Sequence, residues 1–158
     1  MTAQDRNELR AFETGAVGPA QFPHSEHVRL GYQMLARYSF GQAICRFSRG
    51  LKLLAAKAGK PQLYHETITV AFLALINERR MHAPTATWQE FKANNTDLFD
   101  KHCLEKWYGA EQLGSDLARQ TFCLPDPLGR DAFPRRPTIA RDRGLTKNSR
   151  TFRKNVPT

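Results

Sequence analysis

The chain has 158 residues, of which 41% are apolar and 25% charged, with a formal charge of +9; this is globular composition, which excludes a disordered polyelectrolyte or a membrane-embedded chain. The length fits one domain, large enough to bury roughly two thirds of its surface without disulfides or a structural metal. The charge is uneven: residues 129–158 carry nine Lys or Arg and two Asp, and residues 1–128 carry fifteen basic and thirteen acidic residues, so the basicity belongs to a C-terminal tail rather than to the folded body.

The pattern predicts a first helix over residues 4–13, with Leu9 and Phe12 as its apolar face, ended by Gly15, Gly18 and Pro19. A second helix is expected from Pro23 or His24 to Tyr38. Its stripe is Val28, Gly31, Tyr32, Leu35 and Tyr38, and Arg29, Gln33 and Arg37 fall outside it. Ser39 and Gln42 form a capping-box signature for a third helix. The buried face there is Ile44, Phe47, Leu51, Leu54, Ala55 and Ala58, and Gly59 is placed to stop it, with Pro61 beyond. A fourth helix spans Tyr64 to Met81. Its stripe is Ile68, Phe72, Leu75 and Ile76, with Val70, Ala71, Leu73 and Ala74 on most other sides, as expected of a central helix. Thr87 and Glu90 give a second capping box, opening a short helix with Trp88 and Phe91. A further short helix is expected near Lys101–Tyr108, and Ser115 caps a last one on which Leu117 and Phe122 pack. Pro125 and Pro127 end the ordered body. The expectation is an all-α domain over residues 1–128, a bundle of four main helices plus short C-terminal ones, with a flexible basic tail at 129–158.

The chemistry-bearing feature is a set of histidines. His24 and His27 share the inward stripe of the second helix with Val28, Gly31 and Leu35, and His65 shares that of the fourth with Thr69, Phe72 and Ile76. Short loops favour antiparallel neighbours, so the second and fourth helices run the same way and all three histidines fall at one end of the bundle. Glu66 lies at the edge of that site, Tyr64 beside it, and the first helix delivers Glu13 to the same end. Three uses follow. His24, His27, His65 and Glu66, with Glu13 as a further candidate, suit a divalent metal such as zinc or iron, although neither HExxH nor the di-iron Glu-x-x-His pattern occurs. The same histidines near two helix N-termini also suit metal-free acid–base chemistry, with Glu66 as base and Tyr64 as an orienting donor. The plainest use is structural: the rings cap helix starts and hydrogen-bond to backbone.

Residues 22–35 (FPHSEHVRLGYQML) and 63–79 (LYHETITVAFLALINER), followed by WQEFKANNTDLFD and LGSDLARQTFCLPD, resemble a widespread group of small helical bacterial proteins with a His-x-x-His start and a Tyr-His-Glu-Thr motif. The resemblance covers roughly residues 5–126 and leaves the tail outside. It implies attention to His24, His27, His65 and Glu66 without implying a particular reaction.

Other signals are weaker. The tail has the charge and, in Phe133 and Phe152, the rings to bind nucleic acid or an acidic partner, but no folded nucleic-acid module accompanies it. Gly15 and Gly18 lack the Lys-Ser/Thr of a phosphate loop. Cys45, Cys103 and Cys123 are odd in number with no CxxC, which reads as reduced thiols. No apolar run approaches the roughly 18 residues of a membrane span, and the start MTAQDRNELR lacks a signal-peptide core; the expected compartment is the cytoplasm. The functional expectation is a small cytoplasmic enzyme acting on a small molecule at the histidine site, by metal or acid–base chemistry. The alternative is a non-enzymatic binding or regulatory protein acting through its basic tail, and an apolar helix face on either could form a homodimer.

Overall fold

The computed structural model describes residues 2–84 and 86–126, and among these it is all-α with no strand. The tail at residues 129–158, and with it the expected nucleic-acid role, lies outside the described residues. Four longer helices come first: α1 (Ala3–Glu13), α2 (His24–Arg37), α3 (Phe40–Lys57) and α4 (Glu66–His82). Three short ones follow: α5 (Trp88–Asn94), α6 (Ala110–Gly114) and α7 (Asp116–Gln120). Single 3-10 turns at Pro19–Gln21, Pro61–Leu63, Thr96–Phe99 and Cys103–Lys106 link them.

Local chemistry explains most of the boundaries. The Thr2 hydroxyl accepts from the Asp5 amide at 3.1 Å while the Asp5 carboxylate accepts from the Thr2 amide at 2.6 Å, a reciprocal cap that satisfies two orphan donors. Thr87 and Glu90 form the same device at α5, as expected. Ser39 does not: it occupies the N-cap of α3 without a side-chain hydrogen bond, so the capping box read from Ser39 and Gln42 is not formed. Gly59 closes α3 at φ 67°, a left-handed conformation that glycine adopts without the Cβ penalty.

The central element is α4, which packs against α2, α3, α7 and the Cys103–Lys106 turn. Leu73 and Ile76 on it are 1% exposed, and Met34 and Leu30 of α2 are 0% and 2% exposed. α1 lies along a second face of α2, and this corrects the expected solvent face there. Gln33 is buried and donates to Asp5 Oδ1 at 2.8 Å, while Arg29 bridges Glu8 at 2.8 Å and Glu26 at 2.6 Å. A polar flank was covered by a polar neighbour, which a search for apolar stripes does not register. The C-terminal part also differs. The span Lys101–Tyr108 holds only the short 3-10 turn Cys103–Lys106 rather than a helix. Leu117 and Phe122 are 68% and 41% exposed, and α7 buries the small Ala118 instead. Cys103 is buried and Cys45 exposed, and both are free thiols.

α1 is keyed into the bundle by one side chain. Phe12, 1% exposed, stacks on Phe22 and tilts on Phe47, each at a centroid distance of 5.1 Å. Its ring lies over Gly50, where an added Cβ would stand 2.5 Å from Cε1 and 2.6 Å from Cζ. Held by two rings, Phe12 has no room to yield. Gly50→Ala is therefore expected to cost about 1–3 kcal/mol. Gly41→Ala, on the open side of the same helix with nothing within 4 Å, should stabilise by about 0.4–1 kcal/mol. Urea unfolding of the two variants checks the contrast.

Candidate functional site

Pro23 occupies the N-cap of α2, and His24 and His27 form its first turn. The His24 Nε2 lies 2.9 Å from the Leu98 carbonyl. A carbonyl only accepts, so Nε2 carries the proton and donates, tying the start of α2 to the Thr96–Phe99 turn. The His24 ring meets Phe72 edge-on at 5.1 Å and stands 6.1 Å from the His27 ring. His27 packs against Phe22 at 4.6 Å. Burial pushes its pKa down to about 4, and repulsion from His24 lowers it further, while a hydrogen bond to the Phe22 backbone and the charge of Glu26 oppose the shift. The His27 ring is thus neutral at physiological pH.

His65 is the N-cap of α4. Its Nδ1 accepts from the Ile68 amide at 3.2 Å, and its Nε2 donates to the Leu113 carbonyl at 2.8 Å. Both nitrogens are spent, one on the helix start and one on α6. Among the three uses open to the histidines, His65 takes the structural one. Two residues on, the Thr67 hydroxyl donates to the Thr121 carbonyl at 2.8 Å and accepts from the Cys123 amide at 3.0 Å. The first turn of α4 therefore holds the C-terminal segment at two heights.

Glu66 turns to the other side. It accepts from the Tyr64 hydroxyl at 2.8 Å and stands 3.6 Å from Lys52 Nζ. The Lys52 ammonium sits 4.6 Å over the Tyr64 ring. Burial pushes the Tyr64 pKa up to about 12, against a lowering by Ser48, with the hydrogen bond to Glu66 adding to the rise. Tyr64 thus stays a protonated donor. Glu13 pairs with Arg46 at 3.3 Å on the flank of α3.

Two cavities meet at His27. The larger, of about 480 Å³, lies between α2, α3, α4 and the C-terminal segment; His24, His27, Phe47, Phe72, Leu73 and Leu113 wall it, and Lys101, His102 and Glu105 stand at its edge. The smaller, of about 330 Å³, runs toward the C-terminal end of α3, between Phe22, Leu54, Ala55, Ala58, Leu63 and His65. His27, Leu51, Ile68 and Thr69 border both. The larger volume is that of a small-molecule site, apolar with a few convergent polar groups.

The histidines do reach one end of the bundle, but they divide their tasks. His24 and His27 line the larger cavity, His27 and His65 the smaller. Glu66 and Glu13 line neither, and Tyr64 lines the smaller. Ligation by His24, His27, His65 and Glu66 together does not fit, because His65 would have to give up its cap or its hold on Leu113. Among the described residues no group of three or more His, Cys, Asp or Glu is placed to hold a metal ion. Sequence reasoning missed Lys101, His102 and Glu105 at the cavity edge; the His-x-x-Glu spacing, which places His102 and Glu105 in contact, was a signal within reach. It also missed Phe22, whose ring joins Phe12 to His27.

No family model, curated protein or solved structure matches the chain, so the site is read from its own geometry. No helix among the described residues is long and apolar enough to cross a membrane.

The buried neutral ring of His27 has a consequence for stability. Its folded pKa of about 4 lies below the ordinary value of 6.5, so between these values the unfolded chain binds a proton that the folded chain refuses. The contribution is complete above pH 6.5, declines as pH falls, and is lost below about 4, a total of about 3 kcal/mol. Urea midpoints measured from pH 7 to 4 should fall along this curve, and His27→Gln should remove that component. A second expectation concerns the cap. His65→Ala is expected to cost about 1–3 kcal/mol and to raise amide exchange across residues 110–124. His65→Asn, which keeps a capping oxygen but is too short for Leu113, should recover part of the stability without restoring protection there.

Proposed function

We propose that this chain is a small enzyme that binds a mainly apolar molecule in the larger cavity and works by metal-free acid–base chemistry at the His24–His27 pair. The observation that carries the reading is the neutral His27 ring on the wall of a 480 Å³ apolar cavity. A neutral imidazole keeps one ring nitrogen as an acceptor. The desolvation of His27 against Phe22 keeps the ring in the neutral, proton-accepting form at neutral pH. His24, oriented by Leu98, lies near enough to exchange a proton with His27 through a water or the ligand. His65, Thr67 and Tyr64 act at a distance, by holding the α4 start and the cavity wall in place.

The test uses 1,3-diketones, whose central protons are acidic, in deuterated water. The wild type is expected to show ligand-dependent thermal stabilisation and to accelerate deuterium uptake into the ligand. Ala110→Trp, at an exposed position on the cavity edge, should abolish binding while leaving the fold intact. His27→Gln should keep binding and lose exchange by roughly 100-fold or more, the usual weight of a general base. Exchange unchanged in His27→Gln would leave a binding protein without this chemistry. The metal alternative is checked in parallel by elemental analysis: stoichiometric metal in the wild type, lost from a folded His24→Ala, His27→Ala, His65→Ala variant, would displace the metal-free reading.

A further inference from the structure

The smaller cavity has no part in the chemistry described so far, yet it is not independent. It shares His27, Leu51, Ile68 and Thr69 with the larger one, and Leu51 and Ile68 are only half-buried although both pack on the core cluster. Side chains in a closed core of this kind are ordinarily sealed; these two retain exposure because they face open space from the middle of the site.

The polar groups at this junction are few and specific. His27 borders both cavities, and a neutral imidazole carries one acceptor nitrogen in either tautomer. The Thr69 hydroxyl donates its proton to the His65 carbonyl at 2.8 Å, which leaves its oxygen only as an acceptor. The junction thus offers acceptors to a ligand, and the space to either side is apolar. Leu63, 63% exposed, borders the smaller cavity, and among the described residues no Asp, Glu, Lys or Arg lines it.

We infer that the two cavities are halves of one binding site, which takes an elongated ligand carrying an apolar arm on each side of a central hydrogen-bond donor such as an enol, hydroxyl or amide N–H. This deepens the proposed function and rests on it: His27 meets the polar centre, the first arm fills the larger cavity, and the second passes between Leu51 and Ile68 toward Ala55 and Ala58. A molecule with its polar group at one end would leave one cavity empty or drive that group into an apolar wall, at the cost of an unpaired polar atom.

The experiment uses linear 1,3-diketones with one arm fixed at heptyl and the other lengthened from methyl to butyl, with affinity read by calorimetry. Each methylene buried in the smaller cavity should tighten binding roughly fourfold. Ala58→Phe, which narrows only the smaller cavity from its half-buried edge, should flatten the series while leaving the methyl compound unchanged. Ala55→Phe, deeper in the same wall, provides the second variant, with circular dichroism to verify folding of both. A flat series in the wild type, or a series rising equally in Ala58→Phe, overturns the two-armed site and leaves the larger cavity as a site by itself. Absence of binding by every member overturns both this inference and the function on which it rests.

Discussion

The burial of α4 is the constraint from which the rest of the architecture follows. A helix apolar on nearly every side must be walled on every side, because each uncovered face leaves hydrophobic surface in water. α2 and α3 are long enough to cover two faces by ordinary side-chain packing. The remaining face falls to the chain between residues 88 and 126, where no helix exceeds seven residues. Such short helices cannot stand by propensity alone, since nucleation is unfavourable and little length follows to offset it.

The protein meets this with polar side chains that reach out from the buried elements to the backbone of the cover. His24 holds Leu98, His65 holds Leu113, Thr67 holds both Thr121 and Cys123, and Arg79 clamps Asp97 through two nitrogens. Lys106 joins Asp97 at 2.8 Å, and these cations hold the Asp97 carboxyl well below the usual range. Tyr108 ties the cover to itself, donating to the Cys123 carbonyl at 3.0 Å. Buried backbone that lacks a helical partner needs another, and here a few side chains on rigid helices supply it. A cover fastened at discrete points does not fill space as another long helix would. The two cavities lie where the long helices meet this cover and the loops, so the site is a product of how the bundle is closed.

This also explains what the sequence disclosed. α1 to α4 were legible because each runs long enough for its period to show, and because Gly59 and Pro61 stop α3 by local geometry. The meeting of His24, His27 and His65 at one bundle end was legible from loop length alone. Their separate tasks were not, since a histidine that caps a helix and a histidine that faces a cavity look alike in a string of residues; the distinction depends on the Leu113 carbonyl 48 residues away. Gln33 and Arg29 were misread because polar contacts between α1 and α2 have no apolar signature. Leu117 was misread because a five-residue helix has too few positions to define an inward face, and Phe122 because α7 ends at Gln120, before reaching it.

The division of labour among the histidines bears on the chemistry itself. Had His65 been free, three imidazoles at one end of a bundle would favour ligation, which demands ring nitrogens converging within about 2 Å of a common point. With His65 committed to the α4 cap and to Leu113, His24 and His27 are left as a pair with contrasting surroundings. His24 is oriented by a carbonyl at the edge of the core, and His27 is desolvated against Phe22 with its charge further opposed by its neighbour. Pairs whose environments differ in this way are how one fold assigns separate proton roles to chemically identical groups. Because His65 fastens the wall that His27 looks onto, the capping histidine and the cavity histidine are coupled: loosening the cap would hydrate the cavity, and hydration would weaken the desolvation that keeps His27 neutral.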